Sequence, residues 1–147
     1  MSKQREQNYS NHLRFFPLHH FFAAPLTLFF LVGSIYYSFT RDIHALEIIL
    51  LIVLGLISFT APLLARIYAT KNQDRIIRLE LRQRYFELTG ESFLEKEQKL
   101  TKGQIIALRF APNDELVIMI EKAITNKTEP KEIKKSIKSW QADHWRV

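Results

Sequence analysis

Residues 21–39 read FFAAPLTLFFLVGSIYYSF and residues 48–65 read IILLIVLGLISFTAPLLA, and neither stretch contains a charged side chain. At about 1.5 Å of rise per residue, each makes on the order of 27 Å of helix, against a bilayer hydrocarbon core of about 30 Å. A surface helix of a soluble protein shows a polar face every three to four residues, and neither stretch has one. They are read as membrane-spanning helices at about 21–39 and 47–66, joined by a short polar loop at 40–46. A loop that short forces an antiparallel pair. The other reading of the first run is a cleaved signal sequence. Against it, a long segment precedes the run, bulky Tyr36 and Tyr37 stand where small cleavage-site residues belong, and a second span follows.

Working outward, the charge pattern orients the hairpin. The chain has 147 residues and a net charge of +6. Lys3, Arg5 and Arg14 precede the first span, opposed by Glu6. Arg66, Lys71, Arg75, Arg78, Arg82 and Arg84 follow the second. The loop region offers Arg41, offset by Asp42 and Glu47. The positive-inside rule places both termini in the cytoplasm and the loop outside. No cysteine is present, which excludes disulfides, thiolate metal sites and cysteine nucleophiles.

Inside the hairpin, Gly33, Ser34 and Ser38 on one span and Gly55, Ser58 and Ala61 on the other are the small residues expected to let the helices approach. Pro25 falls in a first turn, where its missing amide costs little. Pro62 is expected to kink the second span near Ser58 and Thr60, whose hydroxyls can satisfy freed carbonyls.

The second span has no reason to stop at the membrane. Residues 66–89 contain neither Gly nor Pro, and Gly90 supplies a stop. Lys71, Arg75, Arg78 and Arg82 form a basic stripe, and Ile77, Leu81, Tyr85 and Leu88 an apolar one. Arg78 and Arg82 are expected to pair with Asp74 and Glu87. Residues 91–100 read as a loop or short turn. Thr101 and Gln104 then form a capping box opening a helix to about Phe110. A second helix starts after Pro112, capped by Asn113 or Asp114, with Leu116, Met119, Ile120 and Ala123 on its apolar side. A third opens at Glu129 and Pro130, with Ile133 and Ile137 inward. The expected fold is all-α: an N-terminal arm at 1–20, a transmembrane hairpin at 21–69, and a cytoplasmic helical domain at 70–147, with the second span continuing as a long helix followed by about three short ones. That domain is small and holds no large catalytic core.

These residues point to three kinds of function. The first is an interaction or accessory module at the cytoplasmic membrane face. Its lipid or anion contacts are expected from Arg14, His19, His20, Arg66, Lys71, Arg75 and Arg78, and its protein contacts from Trp140 and Trp145. The partner is another protein or a second copy of the chain. The alternative is a membrane-embedded enzyme or metal site built on His12, His19 and His20, since neutral imidazole is a common ligand. Adjacent histidines do not share a helical face and no carboxylate lies near them, so an interfacial aromatic belt is the preferred reading of that arm. The minor alternative is a membrane-tethered nucleic-acid binder using Lys131, Lys134, Lys135 and Lys138. The helix after Pro112 reads Leu-Val-Ile-Met-Ile at 116–120, which belongs in a core rather than a DNA groove, and no nucleic-acid partner is expected. No phosphate loop, His-Glu-x-x-His or nucleophile elbow is present. The pattern favours a protein that is not an enzyme, with no cofactor and no catalytic residue expected.

Three segments carry a family likeness: the arm from Gln7 to His20, the stretch from Asp74 to Gly90, and the terminal Ile133 to Trp140. Together they resemble a family of small bacterial two-span membrane proteins of unknown function. The resemblance implies a bacterial inner-membrane setting and no catalytic residues. It marks the histidine arm and the arginine helix as the family's features.

Overall fold

The computed structural model describes residues 7–11 and 16–143. They fall into two compact units, one of residues 16–71 and one joining residues 7–11 to 72–143. All regular structure among the described residues is helical.

In the first unit, a π-helical segment Leu18–Ala23 runs into α1, Ala24–Thr40, and the chain turns into α2, Ala45–Thr89. The π-helical segment was not expected from the sequence. Its cause is local: Pro25 sits in the first turn of α1, and a proline ring crowds the carbonyl four residues earlier. A wider turn relieves that crowding, and the Ala24 amide accordingly donates five residues back, to the His19 carbonyl. The connection is tighter than the sequence suggests, because α1 reaches Thr40 and α2 starts at Ala45.

Leu18–Thr40 and the apolar part of α2 are both long and apolar enough to cross a membrane, and only 6% of each apolar window is buried. Phe29 is 76% and Phe39 81% exposed. A core helix of a soluble protein would hide such side chains.

Small residues set the approach of α1 to α2, though not all of those expected. A Cβ on Gly55 would lie 3.1 Å from Leu31 Cδ1, 3.4 Å from Leu31 Cα and 3.6 Å from Ser34 Cβ. Ser34 and Ser38 are buried and donate to the carbonyls of Phe30 (2.7 Å) and Ser34 (2.8 Å), so their hydroxyls are satisfied without water. Gly33 has nothing within 4 Å of its Cβ position and does not belong to the packed face. Pro62 lies inside α2, which continues unbroken through it. The Thr60 hydroxyl donates to the Leu56 carbonyl at 2.8 Å, not to the Ser58 carbonyl that Pro62 cannot serve.

In the second unit, the distal part of α2 is followed by α3 (Leu94–Glu97), α4 (Lys102–Leu108), α5 (Asn113–Thr125) and α6 (Pro130–Ser136). α2 ends where expected, with Gly90 in the left-handed region at φ 73° and its amide donating to the Phe86 carbonyl. Phe93 then folds back on Tyr85, their ring centroids 5.1 Å apart. Ile77, Leu81 and Tyr85 bury one face of α2 against Leu108, Phe110, Leu116, Ile120 and Ile133. Leu88, expected on that face, is exposed, because Phe93 closes the core one turn earlier.

The capping box of α4 forms in both directions. The Gln104 amide donates to Thr101 Oγ1 (3.3 Å), and the Thr101 amide donates to Gln104 Oε1 (2.7 Å). Gln104 Nε2 also donates to the Thr128 carbonyl at 2.9 Å, tying α4 to the turn before α6. The start of α5 differs from expectation: Pro112 is its cap residue, with no side-chain cap bond. Asn113 Oδ1 is taken by Arg84 instead. At the far end of α5, Lys127 takes a left-handed φ of 48° and the Thr128 amide reaches back to the Ala123 carbonyl, the Schellman closure usually given to glycine.

Candidate functional site

The chemistry-bearing side chains of the helical domain are gathered along α2. Glu97 of α3 is 6% exposed. Arg78 Nε donates to its Oε1 at 2.6 Å and Arg82 Nε to its Oε2 at 2.5 Å, so two guanidiniums hold one carboxylate. Burial pushes the Glu97 carboxyl up, but the hydrogen bonds from Arg82 and Arg78, and their charges, outweigh it and hold the group below the usual glutamate range. Arg82 is raised in turn by its bond to Glu97. The expected partners of these arginines are engaged elsewhere: Asp74 pairs with Lys102, and Glu87 accepts from Gln83 Nε2 at 2.8 Å.

Arg84, two residues on, serves the opposite flank of α2. Its Nη1 donates to the Arg109 carbonyl (3.1 Å), and its Nη2 to the Ala111 carbonyl (2.6 Å) and Asn113 Oδ1 (2.9 Å). Those acceptors lie in the turn between α4 and α5 and on the first residue of α5, so one planar fork fixes this stretch to α2. Burial pushes the Arg84 guanidinium down from its ordinary value, while Glu80 and Glu87 act in the other direction.

Arg84 also lines a cleft of about 320 Å³ beside α2, with Glu80, Glu87, Arg109 and Asp143. Arg109 Nη1 lies 3.3 Å from Asp143 Oδ2, and its guanidinium stacks over Phe110 at 4.3 Å. The Gln141 amide donates to the Phe110 carbonyl and the Asp143 amide to Gln7 Oε1, both bonds stapling a terminal segment to the domain. On the far side Lys96 pairs with Glu121, which raises the Lys96 ammonium. This arrangement is a set of opposite charges that tie elements together.

The residues expected to contact lipid or anions are distributed as follows. His19 and His20 lie in the π-helical segment with ring centroids 5.1 Å apart, edge to face, and His20 Nδ1 donates to the Phe16 carbonyl at 3.0 Å. Arg66 and Lys71 lie on the hairpin's part of α2, Arg66 half-buried and Lys71 exposed. Arg75 is exposed on the domain's part, and Arg78 is committed to Glu97. Arg14 and His12 lie outside the described residues. Among the described residues, no group of three or more His, Asp or Glu is placed to hold a metal ion.

Of the two tryptophans expected to bind a partner, Trp140 packs on Phe110 with centroids 4.8 Å apart and is half-buried in the domain. Trp145 lies outside the described residues. Lys134 and Lys135 of the basic helix sit over the rings of Phe110 and Tyr9. Sequence reasoning missed Glu97, which looks like its neighbours in a charged stretch, and Arg84, whose role depends on a turn 25 residues away. The exposed surface of the domain also has an unexpected feature. Ile76, Leu79 and Phe86 are 55%, 61% and 59% exposed on the face of α2 that points away from the core.

These features define a helical protein with two helices of membrane-spanning length and apolarity and one small helical domain braced by ion pairs. The chain belongs to a family of unknown function, DUF6526, which matches residues 1–147. Neither a curated protein nor a solved structure matches it.

Proposed function

We propose that this is a two-span integral protein of the bacterial inner membrane, with both termini cytoplasmic. It presents a small helical domain at the membrane face as a non-enzymatic interaction module. The observation that carries the reading is the contrast along α2. Its apolar part, like Leu18–Thr40, keeps its large side chains outward. From Ile77 onward one face enters a closed core. Outward-facing Leu, Ile and Phe over a whole helix suit lipid and not water. The orientation rests on the lysines and arginines that flank the two spans.

A second reading adds contact with anionic headgroups, supported by exposed Lys71 and Arg75. Such attraction is worth about 1 kcal/mol per charge near the surface and fades within a Debye length of about 8 Å. Arg66 and Lys71 stand nearest in sequence to the apolar part of α2 and carry this reading furthest, with His19 and His20 at the head of the first span.

Alkaline carbonate extraction of membranes containing the full chain tests the anchor: retention in the pellet is expected, and release into the supernatant contradicts it. Lys71→Glu combined with Arg66→Glu is expected to lower the anionic lipid that co-purifies in mild detergent. An unchanged lipid content removes the headgroup role and leaves the anchor standing.

A further inference from the structure

The exposed residues on the outer face of α2 have a definite spacing. Asn72, Ile76, Leu79, Gln83 and Phe86 follow one another at intervals of four, three, four and three, which is the a/d seam of a heptad repeat, and all five are exposed. With Ile76 and Gln83 at a, and Leu79 and Phe86 at d, the core residues Ile77, Leu81 and Tyr85 fall at b, f and c, away from the seam. The domain therefore uses one side of α2 and leaves a complete second stripe unused.

The flanks of the stripe specify its occupant. Both g positions are arginine, Arg75 and Arg82, and the e positions that follow them are glutamate, Glu80 and Glu87. In a parallel pair, g of one helix meets the e position five residues on in its partner, so Arg75 meets a Glu80 and Arg82 meets a Glu87. In an antiparallel pair g meets g and e meets e, which sets Arg against Arg and Glu against Glu. The charge pattern is thus self-complementary in one orientation only. Glu80 and Glu87 are exposed, and Arg82 is half-buried with Glu97 on its inner side. Gln83 puts one polar side chain at an a position, where a single polar residue specifies register and strand number at some cost in stability.

We infer that this face of α2 is one half of a parallel two-stranded coiled coil, and that the other half is the same face of a second copy of this chain. The seam spans little more than two heptads, short for a coiled coil that must assemble from free solution. Here the inference rests on the membrane reading. Two copies inserted with one topology present α2 in the same direction and at high local concentration, which supplies much of the ordering that a short seam cannot. The interface is isologous and closes at two copies.

The chain has no native cysteine, so a single introduced thiol reports its own contacts. Full-length chain carrying Leu79→Cys is oxidised in native membranes with copper phenanthroline, and the membranes are split for carbonate extraction. The expected result is a disulfide dimer of twice the chain's mass for Leu79→Cys and for Phe86→Cys. The more exposed off-seam control, Ile118→Cys on α5, is expected to stay monomeric. Adding Glu80→Arg to Leu79→Cys is expected to cut the dimer at least threefold. Adding Arg75→Glu as well restores it, because the swapped charges pair again across the seam. The inference is overturned if Leu79→Cys gives no dimer, if it crosslinks only to other proteins, if Ile118→Cys crosslinks equally, or if charge reversal changes nothing. Retention in the carbonate pellet without a dimer defeats the seam and spares the anchor. A charge-dependent dimer on a chain that carbonate releases supports the seam and defeats the anchor.

Discussion

Arg82 and Glu97 lie fifteen residues apart in sequence, yet Nε of one is 2.5 Å from Oε2 of the other, across the turn that Gly90 allows. With Arg78 on the second oxygen, the contact brings α3 back onto α2 and puts a carboxylate where only 6% of its residue surface meets water. Such a group is stabilising only while it is ionised and held.

The sign of its pH dependence follows. The folded-state pKa of Glu97 is depressed below the ordinary value of 4.5. Its contribution is therefore complete above that value and is lost as pH falls below it, through the folded pKa. Glu97→Gln is expected to destabilise the domain at neutral pH by roughly 1 to 3 kcal/mol, less than for a fully buried pair because Arg78 and Arg82 reach solvent. The difference between the two proteins should shrink as pH is lowered through the acid range. Denaturation of the full chain in detergent, followed by circular dichroism from neutral pH into that range, checks both.

Arg84 ties α2 to the α4–α5 turn by hydrogen bonds to the Arg109 and Ala111 carbonyls and to Asn113. Arg84→Lys keeps the charge but not the fork. It is expected to lose roughly 1 to 2 kcal/mol, with faster amide exchange in the first turn of α5. Exchange unchanged at Asp114 and Glu115 would mean that the turn holds itself.

Lys127 occupies a left-handed conformation that costs an L-residue roughly 1 kcal/mol and glycine little. Lys127→Gly is expected to raise the denaturation midpoint of the domain by the equivalent of up to about 1 kcal/mol. A fall would show that the lysine side chain contributes more than its backbone strain removes.

The hairpin offers a paired test. Gly55→Val places methyl groups against Leu31 and Ser34 and is expected to separate α1 from α2, whereas Gly33→Val meets open space. A cysteine pair across the two helices should lose its disulfide yield with the first change and keep it with the second.

Much of this architecture was readable from residue patterns because its causes are local. Two uncharged runs of spanning length, Gly90 as a stop, and Thr101 with Gln104 as a capping box each act within a few residues. The π-helical segment was missed because it depends on crowding before Pro25. Asn113 looked like a helix cap, but a guanidinium 29 residues away competes for its oxygen. Asp74 and Glu87 stand four and five residues from Arg78 and Arg82, whereas the buried acceptor of these arginines, Glu97, comes from another helix. Trp140 packs on Phe110, thirty positions earlier, a contact that no local pattern announces. The outer stripe of α2 was hidden by its inner one. A helix with apolar residues on two faces yields one averaged signal, and only burial separates core from seam.

The central claim, two spans with both ends in the cytoplasm, is tested most directly by single-cysteine labelling of the cysteine-free chain. Asp42→Cys in the connection and Lys127→Cys in the domain are each treated with a membrane-impermeant maleimide in spheroplasts. The account predicts immediate labelling at position 42, and labelling at position 127 only after the membrane is permeabilised. Labelling at 127 with protection at 42 would invert the protein, and labelling of both in intact spheroplasts would contradict a hairpin that crosses the membrane twice.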